Sequence, residues 1–206
     1  MGIHAKTNDW RCDHRSIDAA CVSSSTKPYT RKSSRSTDRC CAPQSRDVIQ
    51  KNVDSNPSDQ VPVSLVETID GDTLKVKYNR KTEAVGYLLV DTPESKKPGM
   101  CVQPYAKEAY FRNKQLLEGG KVTIEFEKGR MRDSYGRLLA YVYVDGKSVQ
   151  ETLLQEGFAR VAYIMYPPYK YLRLFKEEEN QAKKRKVNVW SRPNYVIDRG
   201  FEGCEP

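Results

Sequence analysis

The sequence has very little histidine, and none of it lies in the larger part of the chain. The two histidines are His4 and His14, so no histidine occurs after residue 14. This absence excludes Ser-His-Asp triads, Cys-His dyads and histidine-dependent metal hydrolysis from the rest of the chain. Acid–base chemistry there must come from carboxylates, metal-bound water, arginine, lysine or tyrosine.

Residues 1–60 contain no leucine, phenylalanine or glutamate and are rich in Ser, Thr, Asp, Arg and Lys. A segment of this composition cannot bury enough apolar surface to offset its ordering entropy. We therefore interpret residues 1–60 as a disordered polar tail. A dense apolar pattern over residues 61–191 predicts one folded domain, and residues 192–206 follow it as a C-terminal extension.

The six cysteines form no C-x-x-C pair, so a zinc or redox motif of that type is absent. Four of them lie within the predicted tail, and only Cys101 and Cys204 lie outside it. These two residues either remain free thiols or form a disulfide, which needs an oxidising compartment.

Long hydrophobic runs are missing as well. No segment is apolar enough to span a membrane, and no secretory signal is legible in this chain. Ala19-Ala20-Cys21 resembles the end of a bacterial lipoprotein signal but lacks the preceding hydrophobic stretch. The formal net charge of +8 and the sequence pI of about 9.1 favour a polyanionic partner, although a generic solvated surface has a similar composition.

The apolar periodicity predicts five short strands and three helices. The strands are predicted over 61–69, 73–78, 85–90, 121–127 and 138–144, and the helices over about 104–118, 148–157 and 169–186. The capping pair Ser148 and Glu151 marks the start of the second helix. This order predicts an α+β fold in which a five-stranded OB-type β-barrel carries three α-helices, and such barrels bind oligonucleotides on one face.

Carboxylates occur at the ends of two predicted strands, in the stretches 69–73 (IDGDT) and 88–94 (LLVDTPE). Carboxylate oxygens are the ligands that a hard cation such as Ca²⁺ prefers. A cation held in this way beside basic residues can polarise a phosphodiester. Taken singly, however, Asp-Gly-Asp-Thr is most often a hairpin turn, and Tyr135-Gly136-Arg137 is most often a loop tip.

Taken together, in this order and spacing, the motifs resemble the staphylococcal nuclease (thermonuclease) family. The matching stretches are IDGDTLKV at 69–76, YLLVDTPE at 87–94, IEFEKG at 124–129, DSYGRLLAYVYVDGK at 133–147, VQETLLQEGFARVAY at 149–163 and AKKRKVNVWS at 182–191. The resemblance is strongest to secreted or lipoprotein versions from Gram-positive bacteria. Those also carry a cysteine before the first helix and an Arg-Gly-Phe-x-Gly-Cys ending, here at 199–204, and we predict a bridge between Cys101 and Cys204.

The resemblance implies Ca²⁺-dependent hydrolysis of DNA and RNA to 3′-phosphate products. Its metal ligands fall on Asp72, Asp91 and the backbone carbonyl of Thr92. Its catalytic residues fall on Glu94, which positions or deprotonates the attacking water, and on Arg137, which binds the phosphate.

Further implications concern substrate binding. Tyr135 and Tyr163 would line the nucleotide pocket, and Lys96 and Lys97 would attract the backbone of the substrate. We expect a monomer that acts preferentially on single-stranded DNA and RNA, needs no small-molecule cofactor, and is secreted or exposed at the cell surface.

One position departs from the family pattern. Gly86 stands where the family has a second catalytic arginine, on the strand leading into Asp91. Because glycine offers no donor, we expect an impaired nuclease. The alternatives are a catalytically silent nucleic-acid-binding module on the same barrel and a generic OB domain in a protein-interaction scaffold. The scaffold would have no need of the retained carboxylates.

Overall fold

The computed structural model describes residues 59–129 and 131–205. Apart from Asp59 and Gln60, the tail predicted over residues 1–60 lies outside the described residues. The strands are β1 Val61–Pro62, β2 Ser64–Thr68, β3 Thr73–Tyr78, β4 Lys81–Tyr87, β5 Val90–Asp91, β6 Val122–Glu125, β7 Leu138–Val144, β8 Lys147–Ser148, β9 Arg160–Val161, β10 Val196–Ile197 and β11 Gly200–Phe201. The helices are α1 Ala106–Leu117, α2 Val149–Gln155 and α3 Leu172–Arg185.

The main sheet has the order β1-β6-β7-β4-β3-β2, and β8 adds to β7. The β4–β7 pair is parallel, whereas the other pairs are antiparallel. A mixed sheet with three helices agrees with the predicted α+β class. Strand pairing among the described residues does not return from β2 to β1, so the closed, five-stranded barrel stays a prediction.

The core forms where the apolar face of the sheet meets the helices. In β3, Leu74 and Val76 are fully buried while Lys77 is exposed, which is the period-two alternation expected of a strand with one covered face. Burying each such side chain contributes about 1.5–3 kcal/mol. The described core also includes Val85, Tyr141 and Phe175, so β4, β7 and α3 contribute to one apolar cluster.

The helices begin close to their predicted positions. In α2 the Ser148 hydroxyl accepts a hydrogen bond from the Glu151 amide at 3.2 Å, as the capping pair predicts. The helix α3 begins at Leu172, later than the sequence suggests. In the loop before it, the Tyr169 hydroxyl accepts hydrogen bonds from the Met165 and Tyr166 amides.

The C-terminal extension folds back onto the domain. The strands β10 and β11 pair as a hairpin, and Tyr195 and Phe201 pack with Val189 in a second, smaller apolar cluster. Cys101 and Cys204 are joined by a disulfide, with their Cα atoms 5.6 Å apart. None of the helices in the described ranges has the length and apolar composition of a membrane span.

Candidate active site

The two acidic motifs lie side by side because Asp72, in the turn before β3, bonds both the end of β4 and the residue after β5. The Asp72 Oδ2 atom accepts a hydrogen bond from the Thr92 amide at 3.2 Å. The Asp72 carbonyl accepts another from the Tyr87 amide at 2.9 Å. The turn before β3 is thereby fixed against the segment that follows β5.

Arg137 reaches the same place from the loop before β7. The Thr73 hydroxyl donates to Asp72 Oδ1 at 3.0 Å, and Arg137 Nη1 donates to Thr73 Oγ1 at 3.1 Å. Asp133 orients this arginine, since its Oδ2 atom accepts from Arg137 Nε at 2.7 Å. The guanidinium is therefore one hydroxyl group away from the Asp72 carboxylate.

Gly86 borders this guanidinium. It pairs with Thr73 across β3 and β4 and is buried. A Cβ atom built on Gly86 would lie 3.4 Å from Arg137 Cζ, which is close but permissible contact. A side chain at position 86 would thus emerge at the carboxylate site. Arg80 cannot replace it, because it lies at the far end of the same hairpin, roughly 20 Å away at the usual rise per residue.

Asp91 is buried and held by two partners. Its Oδ2 atom accepts from Arg160 Nε at 2.8 Å, and its Oδ1 atom accepts from the Tyr163 hydroxyl at 3.0 Å. The side chains of Asp91 and Arg160 are only 9% and 10% exposed, so this is a buried ion pair. Sequence reasoning found Asp91 and Tyr163 but missed Arg160, whose only signal is a charge inside the apolar run at 158–162.

Negative charge accumulates between the two motifs. Burial, together with the negative charges of Asp91 and Asp70, raises the pKa of Asp72 to about 7. Burial and the same two aspartates also raise the pKa of Glu94, against the opposing effects of Lys97 and Arg137. Asp72, Asp91 and Glu94 therefore share one electrostatic environment in which a cation would be stabilised.

The donor chemistry of this environment fits a hard cation. Within residues 59–129 and 131–205, no three His, Cys, Asp or Glu side chains form a metal-binding group by themselves. Two carboxylates, Asp72 and Asp91, lie together beside Thr92, and oxygen donors of this type suit Ca²⁺. Such a partial set leaves room for water and phosphate oxygens in the coordination shell.

The predicted substrate-binding residues differ in their environment. Tyr135 is 84% exposed, and its ring centre lies 5.9 Å from Arg137 Cζ. Lys96 already has partners, since its Nζ donates to the Ile69 carbonyl at 3.0 Å and lies 4.6 Å from the centre of the Tyr110 ring. Lys97 approaches Glu94, with 3.8 Å between Nζ and Oε1.

Several buried polar residues around the site were missed by sequence reasoning. Asp70 Oδ1 accepts from the Gly71 amide and from the Ser95 hydroxyl, both at 2.9 Å. Asn113 in α1 donates to the Asp70 carbonyl at 2.8 Å. Gln103 accepts the Glu94 amide at 2.8 Å. Asp70 lies within the 69–73 motif, whereas no sequence signal distinguishes Asn113 and Gln103 from ordinary surface polar residues.

Comparison with known proteins assigns the chain to a family. The family model described as staphylococcal nuclease homologue matches residues 84–192. The chain belongs to the staphylococcal nuclease family. The family match begins within β4, so it includes Gly86, Asp91 and Glu94 but not the turn that carries Asp72.

Individual relatives within the nuclease family are named endonuclease or thermonuclease. The SPbeta prophage-derived endonuclease YokF of Bacillus subtilis (strain 168) is 60% identical over 144 residues, which is 70% of this chain and 49% of the relative. Endonuclease YncB of the same strain is 59% identical over 149 residues, which is 72% of this chain and 71% of the relative. Thermonuclease of Staphylococcus hyicus is 40% identical over 137 residues, which is 66% of this chain and 79% of the relative. The matched region thus spans about half the length of YokF and a larger share of the other two.

Proposed function

We propose that this staphylococcal nuclease family member is a Ca²⁺-dependent endonuclease that hydrolyses DNA and RNA to 3′-phosphate products, at a rate reduced by Gly86. The observation that supports this most strongly is the convergence of Asp72, Asp91 and Arg137 beside a partly buried glutamate. Its single-stranded substrate preference and monomeric state are part of the same proposal.

Each group has a chemical role in this proposal. The carboxylates of Asp72 and Asp91 and the Thr92 carbonyl would hold Ca²⁺, which supplies positive charge that polarises the phosphodiester. Glu94 takes a proton from the attacking water, and its raised pKa suits a general base better than an ordinary glutamate. Arg137 donates to the phosphate oxygens as their negative charge grows.

Substrate binding would use exposed groups around the carboxylates. Tyr135 and Tyr163 are exposed aromatic rings on which bases can stack. Lys97 and the backbone-anchored Lys96 add positive charge near Glu94. The disulfide between Cys101 and Cys204 supports a secreted or surface location, because such bridges persist in oxidising compartments.

A second candidate function follows from Gly86. Since position 86 provides no donor to the phosphate, the domain could bind single-stranded nucleic acid with Ca²⁺ and leave it uncleaved. In that case the binding of Ca²⁺ and nucleic acid still depends on Asp72 and Asp91. The two candidates then differ only in whether cleavage products form.

The test is digestion of single-stranded DNA with Ca²⁺ and with a chelator, beside calorimetric Ca²⁺ binding. Asp72→Ala and Asp91→Asn should each weaken Ca²⁺ binding at least tenfold, about 1.4 kcal/mol, and abolish cleavage. Asparagine is used at position 91 because it can still accept a hydrogen bond from Arg160, which alanine would leave buried and unpaired.

The matched control is Asp145→Ala, which removes one negative charge at the β7–β8 turn and should change neither property. Cleavage that persists in chelator, or in both site variants, would contradict the proposal. Ca²⁺-dependent binding without cleavage would favour the second candidate.

A further inference from the structure

Gln103 holds the backbone of Glu94 from both sides. Its side-chain Oε1 atom accepts a hydrogen bond from the Glu94 backbone amide at 2.8 Å. Its backbone amide donates to the Glu94 backbone carbonyl at 3.1 Å. Gln103 is only 5% exposed, so water does not compete effectively for these bonds. The orientation of Glu94 is therefore coupled to the position of Gln103.

The other end of the Gln103 side chain is held by the C-terminal hairpin. Its Nε2 donates to the Phe201 carbonyl in β11 at 2.8 Å. The glutamine thus needs its carbonyl oxygen for Glu94 and its amide nitrogen for Phe201. A side chain that lacks either group would leave a buried backbone partner unsatisfied.

The hairpin is tied to the chain on both sides of Gln103. The disulfide joins Cys101 to Cys204, and the Glu205 amide donates to the Val102 carbonyl at 2.7 Å. On the other side, the Tyr195 hydroxyl donates to the Pro104 carbonyl. Residues 101–104 and the hairpin therefore behave as one tethered unit.

The same hairpin also contacts the group that neutralises Asp91. Arg160 Nη1 donates to the Asp198 carbonyl at 3.2 Å while its Nε donates to Asp91 at 2.8 Å. The Arg160 Cζ atom lies 5.8 Å from the centre of the Phe201 ring. The Glu94 backbone and the Asp91 carboxylate are thus each connected to the C-terminal extension through a single buried side chain, Gln103 and Arg160 respectively.

We infer that Gln103 is a positioning residue for Glu94, and that the disulfide-tethered C-terminal hairpin holds Gln103 in place. This inference rests on the proposed function, in which Glu94 acts on the attacking water. Misplacing Glu94 should affect the chemical step more than substrate binding. Gln103 is buried, so it would act through Glu94 and not by contacting the nucleic acid or the metal itself.

The first experiment compares Gln103→Met with Gln150→Met in the full chain. Gln150 is a matched control, since it is fully buried and bridges the Val142 amide and the Ala140 carbonyl at 2.9 and 3.0 Å. Both variants lose stability. Only Gln103→Met should lower kcat, by about tenfold with KM changed less than twofold, as expected for residues that orient a site group. Equal kcat losses in the two variants would reduce Gln103 to a structural role and overturn the inference.

The second experiment measures hydrogen exchange of the Glu94 amide by NMR in metal-free protein, and so does not depend on activity. Exchange at Glu94 should accelerate at least tenfold in Gln103→Met, and also in the Cys101→Ser/Cys204→Ser variant, but not in Gln150→Met. Unchanged exchange in the first two variants would overturn the inference. If the parent cleaves no substrate, the proposed function fails, yet the exchange rates still decide whether Gln103 and the hairpin hold Glu94.

Discussion

In the proposed function, Gly86 and Arg137 determine how much positive charge a bound phosphate meets. Arg137 is held by Asp133 and Thr73, so its guanidinium is fixed before substrate arrives. The neighbouring Gly86 contributes only backbone, although a side chain built there would start 3.4 Å from the same guanidinium. Loss of one pre-organised donor typically costs about 10²–10³ in rate, so this one residue is enough to account for the reduced rate that we propose.

Asp72 should make stability depend on pH in a direction opposite to that of most paired carboxylates. Its pKa is raised from 3.8 to about 7, so between these values the folded protein binds a proton that the unfolded chain does not. Stability therefore falls as pH rises through this window, and the penalty remains in full above it.

Asp72→Asn removes the titrating charge but leaves one side-chain acceptor where Asp72 uses two, for the Thr92 amide and the Thr73 hydroxyl, so one hydrogen bond worth about 1 kcal/mol is lost. In metal-free protein we expect the variant to be more stable than the parent at pH 8, by up to about 3 kcal/mol once the lost hydrogen bond is subtracted from the pKa penalty, and less stable below pH 4. Thermal unfolding at the two pH values, with chelator present, measures this. A variant that is less stable at both values would contradict the account.

The convergence of Asp72, Asp91 and Arg137 could be predicted because each lies in a motif whose order and spacing resemble the family. Arg160 and Gln103 could not be predicted in this way. Their decisive contacts join residues separated by 69 and 98 positions, and neither residue belongs to a periodic pattern. A single polar residue in an apolar run gives no indication of the distant backbone group that it will meet.

At the scale of elements, the C-terminal hairpin formed by β10 and β11 lies outside the main sheet but contacts two residues that hold the site, Gln103 and Arg160. Its strands β10 and β11 are too short to be recognised by alternation, whereas the longer β3 and β7 were predicted closely. The hairpin is stabilised by the small Tyr195–Phe201 cluster and by the disulfide rather than by extensive sheet pairing. An element of this kind depends strongly on its covalent tether.

Replacing both bridge cysteines, Cys101→Ser with Cys204→Ser, should lower the free energy of unfolding by about 2–4 kcal/mol. The chain-entropy model gives an upper figure of about 4.7 kcal/mol for a loop of this length, and the sequence separation here is 103. Chemical denaturation measures the change. The control is Cys21→Ser with Cys40→Ser, which alters two cysteines of the predicted tail and should have no effect. Two alkylatable thiols at positions 101 and 204 of the parent, prepared under oxidising conditions, would contradict the bridge.

At the scale of the whole molecule, positive charge favours a polyanion. The net charge is +8, and the exposed residues near the site include Lys97. Such attraction is independent of base sequence and acts through the phosphate backbone. It should weaken as salt is added, because a higher salt concentration reduces the free energy gained when binding releases condensed counterions.

Binding of single-stranded DNA should therefore depend steeply on salt. If about three phosphates are contacted, the dissociation constant should rise on the order of tenfold to twentyfold between 50 and 200 mM salt. Fluorescence anisotropy with a labelled oligonucleotide in Ca²⁺ measures this, with Glu94→Gln as the cleavage-deficient binding protein because it leaves the proposed Ca²⁺ ligands Asp72 and Asp91 in place. An affinity independent of salt would contradict the electrostatic account of substrate attraction.

The central claim is that the nuclease site is complete except at position 86. The most direct test compares the rates at which the parent and Gly86→Arg hydrolyse single-stranded DNA in the presence of Ca²⁺. The variant places a second guanidinium beside Arg137, where it can stabilise the phosphate as charge accumulates. We predict that kcat rises about 10²-fold or more with little change in KM, and that chelator abolishes the activity. The control Gly86→Met fills similar space without donors and should not gain activity. Equal rates for the parent and Gly86→Arg, or an equal gain in Gly86→Met, would contradict the account.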